Sequence, residues 1–417
     1  MTDEPIRVVL VDDQTRPLTP FINWQDRRGE EIVPGTEQTY TQRAAALLGP
    51  DAARRTGCTL ASGYLGTTLF WLREAGQLPA AALAGFITDF VGARLTATFP
   101  VTDPTMAASS ALLHVQAREW DPAALQALGL PPSVFPPVRE AGNPLGGLTR
   151  DAGRATGLPV GLPVFVGLGD NQASFVGSVA HRAVSVLVNV GTGAQVSRYV
   201  EREEWEAWEG REDALGPGRP EVRPFPRGGY LLVHAGLFGG RTYALLDRFF
   251  RQVGVDLFDR ATDAPLYPRL NELARRVPPG ADGLRCEPFF TGSRAAPSRR
   301  ALWSGMSDTN FTPAHLTRAL LEGMARSFQQ GFSHLQTVTS VAVEHLVGAG
   351  NGLRENATLA EIVATELGRP LRMTLHREEA AYGAALVASV GAGVWPTLDE
   401  AGQIIGYGDA ITPLRLS

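Results

Sequence analysis

Short apolar runs alternate with amphipathic stretches along this chain, and glycine-rich turns join many of them. The run "RVVLVD", residues 7–12, predicts a strand, and the apolar run from Val164 to Leu168 predicts a second, buried strand. Between the two, residues 50–95 have the apolar spacing of helices. The stretch "EWDPAALQALGLPPSVFPPV" predicts a short helix that ends at Gly129 and the prolines after it.

The same alternation is clearer in the second half of the chain. Two β-rich runs surround a Gly-Thr-Gly turn in "AVSVLVNVGTGAQVSRYV", which predicts a hairpin. The segments "GGYLLVHAGLFGGRTYALLDRFFRQVG" and "SVAVEHLVGAGNGLRENATLAEIVATELGRP" each predict a strand, a glycine turn and a helix. In contrast, residues 201–224 are charged and rich in proline and glycine, so they predict a surface loop.

Two long helices and the overall alternation indicate the fold class. The segment "TPAHLTRALLEGMARSFQQGFSHLQ" predicts an amphipathic helix with Thr312 as N-cap and Pro313 at its first position, and "REEAAYGAALVASVGAG" predicts the last long helix. Because strands, glycine loops and helices alternate, the fold class is α/β. The pattern changes near residue 178, and 417 residues exceed the usual size of one core. We therefore expect two domains, residues 1–178 and 179–417.

Composition narrows the class of protein. Hydrophobic residues make up 44% of the chain and charged residues 19%, as in an ordinary folded protein. No apolar run reaches the roughly 18 residues needed to span a bilayer, and "MTDEPIRVVLVDD" lacks the regions of a secretory signal. Only Cys58 and Cys286 are present, so a reducing cytoplasm is the expected location. The net charge of −5, with scattered arginines, argues against a nucleic-acid-binding surface.

The basic residues and histidines exclude particular sites. All 38 basic residues are arginine. A Walker-type phosphate loop needs the lysine of GxxxxGK[ST], so this nucleotide site is excluded, and so is Schiff-base chemistry on a lysine. The seven histidines show neither HxxH nor HxxxH spacing, so the sequence predicts no metal bound by protein side chains.

Three glycine turns of the second half follow predicted strands, at residues 191–193, 239–240 and 348–352. Glycine allows backbone amides to approach a ligand closely, and a helix N-terminus favours an anion. Together the turns suggest a nucleotide held across several loops, whereas each one alone is more often a simple turn. The last turn is also similar to the GxGxxG fingerprint of dinucleotide-binding dehydrogenases, but Leu353 stands where the third glycine is needed.

Asp170 lies at the end of an apolar run, between Gly169 and Asn171. A carboxylate in this position can cap the helix that follows it. It can equally be a general base that takes a proton from a hydroxyl during phosphoryl transfer. Asn171 and Gln172 would then orient a polyol by hydrogen bonds. The local pattern leaves both interpretations open.

The stretch "GDNQASFVGS" resembles the catalytic segment of the FGGY carbohydrate kinases, which belong to the actin-like ATPase (ASKHA) superfamily. Further segments resemble motifs of that family in the right order, from about residue 8 to 390: "PFINWQDRR", "ITDFVGARLT", "VTDPTMAASSALLHVQAREWD", "VNVGTGAQV", "RALLEGMARSF", "VGAGNGLRENATLAEIVATELGRPL" and "EEAAYGAALVA". The resemblance implies two ribonuclease H-like α/β lobes with a cleft between them and an ATP-dependent sugar kinase. The segments "TGCTLASGYLGTTLFWLREAG" and "LLVHAGLFGGRTYALLDRFF" are most similar to sedoheptulokinases, then to xylulokinases, so the implied sugar is a ketose.

The resemblance also implies roles for individual residues. Asp170 matches the catalytic base. Trp24, Asp26 and Asn171 match the substrate side, although Asn171 stands where the family often has glutamine, and Trp24 would serve equally well as a core residue. The residues matched to the nucleotide side are Gly191, Thr192, Gly193, Gly239, Gly240, Gly348, Gly350 and Asn356. The implied partners are a sugar and ATP, Mg²⁺ would be bound mainly through the ATP phosphates, and a homodimer is allowed.

Asp89 and Asp103 also match family positions, and we interpret both as structural.

The sequence also departs from the family pattern. The family's first phosphate loop, "D-[ILF]-G-T-[ST]", and its "Q-M-H-G"-like segment are both absent from these 417 residues. We therefore expect an incomplete N-terminal lobe, explained by a misassigned start codon, an upstream frameshift or a decayed gene. The alternative function that follows is a non-catalytic sugar- or nucleotide-binding pseudokinase.

Overall fold

The computed structural model describes residues 8–80, 82–208, 219–290, 292 and 299–414. Strands and helices alternate along the chain, as predicted for an α/β protein. The strands are β1 (Val8–Val11), β2 (Leu83–Phe86), β3 (Leu113–His114), β4 (Glu119–Trp120), β5 (Pro144–Gly147), β6 (Pro163–Phe165), β7 (Ser185–Val190), β8 (Ala194–Val200), β9 (Glu221–Pro224), β10 (Tyr230–Leu237), β11 (Arg285–Glu287), β12 (Leu302–Ser304), β13 (His345–Ala349) and β14 (Leu371–Met373). The helices are α1 (Tyr40–Leu48), α2 (Ala52–Thr56), α3 (Leu65–Glu74), α4 (Ile87–Thr96), α5 (Pro104–Ala107), α6 (Pro122–Ala127), α7 (Arg150–Thr156), α8 (Asp170–Ser178), α9 (Arg202–Trp208), α10 (Gly240–Phe258), α11 (Tyr267–Arg275), α12 (Pro313–Val338), α13 (Asn351–Arg354), α14 (Ala357–Glu366), α15 (Glu379–Gly391) and α16 (Leu398–Gly402).

Six strands of the second half form one sheet, in the order β14-β13-β7-β8-β10-β9. Strand β13 runs parallel to β7 and β14, and the other neighbouring strands are antiparallel. The β7–β8 pairing, with Val190 opposite Ala194, confirms the predicted hairpin. In β7, Val186 and Val188 belong to one apolar cluster, and Leu187, on the opposite face of the strand, belongs to another. Both faces of the sheet are therefore covered.

Helix α12 is the longest helix of the described chain, and it begins as the sequence predicts. The Thr312 hydroxyl accepts a hydrogen bond from the amide of His315, and Pro313 occupies the first helical position. One face of the helix is buried in the main core of the second half. That face also carries a buried ion pair, in which Arg318 Nε donates to Glu322 Oε1 over 2.7 Å.

In the first half of the described chain, strands form separate pairs rather than one larger sheet. Strand β1 confirms the strand predicted at the start of the chain, as far as the described residues reach. Its partner β2 corrects the prediction of a helical region over residues 50–95, because Leu83 pairs with Val11 in a strand there. The apolar run of β2 continues into α4 without a linker, so periodicity alone could not separate the two elements.

Two further segments differ from their predictions. The buried strand expected from Val164 to Leu168 is instead the short strand β6, which ends at Phe165 and is only partly buried. The predicted surface loop over residues 201–224 contains α9 and β9, and its residues 209–218 lie outside the described chain. Strand β9 forms because it pairs with β10 and extends the six-stranded sheet, a long-range contact that local composition does not reveal.

Helix α8 packs against α15 with almost no side-chain layer between them. A Cβ atom at Gly383 would lie 1.8 Å from the carbonyl oxygen of Ala173, and one at Gly177 would lie 2.0 Å from that of Glu379. The apolar side of α8, which includes Phe175, shares a cluster with the six-stranded sheet. The domain boundary predicted after residue 178 stays a prediction, since α8 ends there but packs on the second half.

The remaining fold predictions concern membranes and cysteines. No helix in the described ranges is long and apolar enough to cross a membrane. Cys58 and Cys286 are both buried. They lie in two different apolar clusters, so each is a core residue of its own half of the chain.

Candidate active site

A groove of about 500 Å³ lies at the start of helix α8, and it is called the α8 groove below. Six separate parts of the chain meet there. The lining residues are Tyr64, Thr105, Met106, Ser109, Gly169, Asp170, Asn171, Gln172, Gln195, Glu221, Arg223, Val233 and Ala235. Apolar side chains are a minority among them, so the groove presents hydroxyl, amide and charged groups to a ligand.

Asp170 is the first residue of α8 and lines this groove. Gly169, with extended backbone, occupies the N-cap position before it. Because the positive end of the helix dipole stabilises a nearby anion, this position favours an ionised carboxylate. The side chain is only half-buried, so its carboxylate can meet a ligand in the groove.

Two amide side chains are fixed beside Asp170. Gln195 Nε2 donates to Asn171 Oδ1 over 2.9 Å, and Gln172 Nε2 donates to the carbonyl of Pro224 over 3.1 Å. Because the oxygen of Asn171 accepts this bond, its NH₂ group is the part that can donate to a ligand. Gln195 belongs to strand β8, directly after the hairpin turn, and was not predicted as a site residue.

A hydrogen-bond chain behind the groove holds the backbone before Asp170. Thr105 Oγ1 accepts from the amide of Gly169 over 2.7 Å and donates to Asp103 Oδ1 over 2.9 Å. Asp103 is the N-cap of α5 and also accepts from the amide of Met106. The position of Asp170 therefore depends on a buried carboxyl group that does not itself line the groove.

Asp103 and a second carboxyl group, Asp89, are both buried. Burial raises the pKa of Asp103 to about 7, and burial together with the charge of Asp103 raises the pKa of Asp89 to about 8. Asp89 accepts a hydrogen bond from the amide of Phe86 over 2.9 Å, where β2 meets α4. Their contacts are with their own segment and its neighbours, in keeping with the structural role that the sequence suggested for both.

Glu221 and Arg223 line the groove and were missed in the sequence, because their segment was interpreted as a surface loop. Both belong to β9 and form an ion pair with 2.6 Å between Arg223 Nη2 and Glu221 Oε2. The signal that could have found them is the alternation of charged and apolar residues in "EVRP", which is typical of a strand with one polar face.

Trp24 and Asp26 lie beside the groove rather than in its lining. The Asp26 carboxylate accepts hydrogen bonds from the Arg28 side chain and amide, over 2.7 and 3.0 Å. Trp24 packs against the core of the first half, and its backbone contacts Gly63, next to the lining residue Tyr64. Of the residues that the sequence predicted for the sugar, Asn171 and Gln172 therefore lie in the lining, whereas Trp24 and Asp26 do not.

Two of the predicted glycine turns contact each other. The amides of Gly240 and Arg241 donate to the carbonyls of Gly191 and Thr192, over 2.8 and 2.9 Å. A Cβ atom at Gly239 would lie 2.2 Å from the carbonyl oxygen of Gly193. The hairpin turn between β7 and β8 therefore rests directly on the first turn of α10, backbone against backbone.

The third glycine turn packs on the end of β7. A Cβ atom at Gly350 would lie 2.5 Å from the carbonyl oxygen of Val190, and Gly350 has φ +84°. Gly348 instead lies inside β13, where its missing side chain makes room for Met373. Leu353, which stands in place of the third fingerprint glycine, is a buried core residue, so this loop lacks the dinucleotide-binding pattern.

These turns border a second, larger space of about 1700 Å³, called the glycine cleft. Of the residues predicted for the nucleotide side, those that line it are Gly191, Thr192, Gly240, Gly350 and Asn356. Gly193, Gly239 and Gly348 are outside the lining, and Gly193 is exposed to solvent. Asn356 caps α14 by accepting from the amide of Leu359 over 2.9 Å.

An aromatic wall of the glycine cleft was not predicted. The rings of Tyr243 and Tyr267 lie 5.3 Å apart, and the Tyr243 hydroxyl donates to Asn271 Oδ1 over 2.6 Å. Burial raises the pKa of the Tyr243 hydroxyl well above its usual value, so it stays a neutral donor. The tyrosines lie on two helices that meet only in the fold, which is why no local motif marked them.

The glycine cleft can hold a nucleotide with a large planar base. Its exposed turn backbone, at Thr192, suits phosphate groups, and the guanidinium groups of Arg241 and Arg377 also line it. The tyrosine wall offers a surface for a base. Among the residues that the structure describes, no group of three or more His, Cys, Asp or Glu side chains is placed to hold a metal ion.

Comparison with known proteins adds to this geometry. The N-terminal domain of the FGGY family of carbohydrate kinases matches residues 2–177, and the C-terminal domain of that family matches residues 223–392. The L-fuculokinase of Escherichia coli O157:H7 is 30% identical over 407 residues, which cover 95% of this chain and 78% of that protein. The autoinducer-2 kinase of Escherichia coli strain K12 is 29% identical over 417 residues, with coverages of 95% and 72%.

Solved structures share the fold. The xylulose kinase from Rhodospirillum rubrum superposes with a TM-score of 0.80 at 25% identity, over 98% of this chain and 78% of that one. A ligand-bound xylulose kinase from Lactobacillus acidophilus has a TM-score of 0.81 at 20% identity, with coverages of 99% and 79%, and shows the fold alone. These similarities confirm the two-domain α/β fold predicted from the sequence.

Proposed function

The chain belongs to the FGGY family of carbohydrate kinases, and we propose that it transfers a phosphoryl group from ATP to a hydroxyl of a ketose. The observation that carries this proposal is the position of Asp170 in the α8 groove, beside Gln195 of the hairpin whose turn lines the glycine cleft. The groove would hold the sugar and the cleft would hold the nucleotide.

Asp170 acts as the general base in this mechanism. It accepts the proton of the attacking sugar hydroxyl as that oxygen bonds to the γ-phosphorus, while the bond from the γ-phosphorus to the β,γ-bridging oxygen breaks and ADP leaves with that oxygen. Its place at the start of α8 puts the carboxylate at the positive end of the helix dipole, which stabilises an anion. The contact between Thr105 and the amide of Gly169 fixes the backbone before it, and Asn171 donates from its NH₂ group to the sugar.

The nucleotide side is built from the glycine turns. When bound, ATP supplies the phosphoryl group, and Mg²⁺ bound to its phosphates offsets their negative charge. The turn formed by Gly191, Thr192 and Gly193 would meet the phosphates, with Gly240 at the start of α10 beside it. Gly350 and Asn356 would lie on the adenosine side, together with the tyrosine wall. Gly239 and Gly348 support these contacts from behind.

The sugar is proposed to be a ketose such as sedoheptulose or xylulose. The named relatives include an L-fuculokinase and a xylulose kinase, so L-fuculose belongs among the sugars to be tested. Trp24 and Asp26 stay proposed substrate-side residues, because the Trp24 backbone packs against Gly63, directly before the groove residue Tyr64.

An assay of ATP consumption with a panel of ketoses tests the proposal on the 417-residue chain. We expect ADP to form only when a suitable ketose is present. Calorimetric titrations with ADP and with each sugar accompany the assay. Saturable binding of ADP or of a sugar without ADP formation would instead support the non-catalytic alternative. If neither ADP nor any sugar binds, both functions are wrong.

A further inference from the structure

A third space, of about 960 Å³, lies at one edge of the six-stranded sheet and is called the edge cavity below. It is lined by the starts of β7, β13 and β14, by residues 180–181 after α8, and by parts of residues 403–410. The glycine cleft borders the other ends of β7 and β13, at Val190 and Gly350. The length of β7, roughly 17 Å, therefore separates the two spaces.

Strand pairing brings three polar side chains of the edge cavity onto one face of the sheet. His345 of β13 lies opposite Ser185 of β7, and Val347 of β13 lies opposite Arg372 of β14. Because His345 and Val347 are two residues apart, their side chains leave the same face of the strand, and so do those of their parallel partners. This face therefore presents an imidazole, a hydroxyl and a guanidinium to the cavity.

The segment that closes the edge cavity is fixed in place. The Tyr407 hydroxyl donates to the carbonyl of Ser178 over 2.6 Å and accepts from the amide of Ala180 over 2.9 Å, which ties it to the end of α8. The amide of Gly408 donates to the carbonyl of Met373 over 2.9 Å, at the end of β14. A ligand would therefore enter a preformed cavity, which lowers the entropic cost of binding.

Four side chains of the edge cavity are available to a ligand. Arg372 and Glu344 are both exposed, and neither has a hydrogen-bond or ion-pair partner among the described residues. The rings of His181 and His345 lie 5.3 Å apart, and their nitrogens form no hydrogen bond with the part of the chain that the structure describes. Since Arg372 and Glu344 do not pair with each other, they can contact different parts of one ligand.

These groups match a ligand with three kinds of surface. A guanidinium with imidazoles beside it suits a phosphate group, and a carboxylate accepts hydrogen bonds from hydroxyl groups. Ala180, Val347 and Ile405 are buried and give the cavity an apolar floor, which suits the C–H face of a sugar. A sugar phosphate carries all three surfaces.

We propose that the edge cavity is a second, non-catalytic site that binds a small sugar phosphate, with Arg372 on the phosphate and Glu344 on the sugar hydroxyls. His181 and His345 donate ring N–H groups to the phosphate oxygens. A neutral sugar lacks the group that Arg372 binds, and inorganic phosphate lacks the hydroxyls that donate to Glu344. The site is separate from the α8 groove and the glycine cleft, so the proposal does not depend on the proposed function.

The test is an NMR titration of the full chain with labelled histidine rings, which reports binding at the cavity rather than turnover. His181→Gln and His345→Gln each remove one signal and so assign the two rings among the seven histidines. The probes are D-xylulose 5-phosphate, D-glucose 6-phosphate, inorganic phosphate and D-xylulose. Both ring signals should shift saturably with at least one sugar phosphate, while inorganic phosphate should bind at least about tenfold more weakly and D-xylulose should cause no shift.

Variants separate the two parts of the ligand. Arg372→Gln should weaken sugar-phosphate binding by roughly tenfold or more, and Arg372→Lys, which keeps the charge but not the planar fork, by less. Glu344→Ala should weaken sugar-phosphate binding by roughly threefold to tenfold, while inorganic phosphate should bind no more weakly than before. Arg154→Gln is the matched control, because Arg154 is exposed on α7 outside the cavity, and it should bind every probe as the wild-type chain does. Thermal unfolding of each variant identifies those that fold.

The outcomes decide both the site and its ligand. If neither ring signal shifts with either sugar phosphate, the edge cavity is not a sugar-phosphate site. Equal affinities for inorganic phosphate and the sugar phosphates overturn the ligand class. Unchanged sugar-phosphate affinity in folded Arg372→Gln places the binding elsewhere, such as in the α8 groove, and also overturns the proposal. Shifts with D-xylulose 5-phosphate alone support a site for the product of a ketose kinase, and shifts with both sugar phosphates support a site for sugar phosphates in general.

Discussion

The α8 groove and the glycine cleft both use the β7–β8 hairpin, but they are built from different parts of the polypeptide. The cleft is shaped by backbone contacts: amides of Gly240 and Arg241 donate to the hairpin turn, and Gly350 packs on the carbonyl of Val190. The groove is shaped by side chains from six parts of the chain, of which Glu221 is one.

This difference predicts how the two regions respond to substitution. A backbone-built site is sensitive to any added side chain but insensitive to side-chain chemistry, because its contacts use atoms that every residue has. A site built from side chains responds to the loss of a single charge or hydrogen bond. Substitutions of the two kinds should therefore separate sugar chemistry from nucleotide binding.

The largest effect is expected from Asp170→Asn in the groove. The asparagine is similar in size but cannot accept the proton of a sugar hydroxyl, so turnover should fall by roughly 10²- to 10⁴-fold. Nucleotide affinity should stay within about twofold, because the cleft is built from other segments. Steady-state kinetics and calorimetry with ADP measure the two quantities.

Asp151→Asn is the control for this change, because Asp151 lies exposed in the first turn of α7. Its turnover should equal that of the wild-type chain. Wild-type turnover in Asp170→Asn would remove Asp170 from the mechanism. Loss of ADP binding in the same variant would instead show that groove and cleft are not separable.

A smaller effect is expected from Gly239→Ala on the cleft side. The new methyl group would lie 2.2 Å from the carbonyl oxygen of Gly193, which forces the hairpin turn away from α10. Overpacking of this kind costs about 1–3 kcal/mol, so ADP should bind roughly tenfold to a hundredfold more weakly. Sugar affinity, measured by the same calorimetry, should be unchanged.

Gly408→Ala is the matched control, since a Cβ atom there would lie 3.9 Å from the nearest atom outside its own neighbours. Both affinities of this variant should equal those of the wild-type chain. Unchanged ADP affinity in Gly239→Ala would refute the turn-on-helix contact as a requirement for nucleotide binding.

The smallest effect concerns the buried carboxyl group of Asp89. Burial raises the pKa of Asp89 to about 8, compared with about 4 in the unfolded chain. Between these values the folded state holds a proton that the unfolded state has released, so the free energy of unfolding falls as pH rises from about 4 to about 8. Asp89→Asn cannot ionise and keeps an acceptor for the Phe86 amide.

Thermal unfolding followed by circular dichroism at pH 5 and pH 8 checks this effect. From pH 5 to pH 8, the unfolding temperature of the wild-type chain should fall by a few degrees more than that of Asp89→Asn. The unfolding temperature of the exposed control Asp151→Asn should change with pH as that of the wild-type chain does. Equal pH dependence of Asp89→Asn and the wild-type chain would show that Asp89 is ionised in the folded state.

Features with a local cause could be predicted from the sequence. The start of α12 follows from the chemistry of Thr312 and Pro313, and the β7–β8 hairpin follows from two β-rich runs around a glycine turn. The glycine turns were predicted because glycine marks places where backbone must approach closely. Five of the residues predicted for the nucleotide side therefore line the cleft: Gly191, Thr192, Gly240, Gly350 and Asn356.

Features that depend on distant partners could not be predicted. Strands β2 and β9 are four residues each and owe their conformation to β1 and β10. The ion pair of Glu221 and Arg223 enters the groove only because β9 extends the sheet. The tyrosine wall likewise needs two helices to meet. The side-chain-built groove was therefore predicted only at Asp170 and the two residues after it, Asn171 and Gln172.

Hydrogen–deuterium exchange with ADP and with the bound ketose tests the division between the two regions most directly. ADP should slow exchange at residues 190–193, 240–241 and 351–356, while the ketose should slow exchange at residues 169–172 and 221–223. Protection of the same segments by both ligands, or of the groove by ADP alone, would contradict the account of a sugar groove and a separate nucleotide cleft.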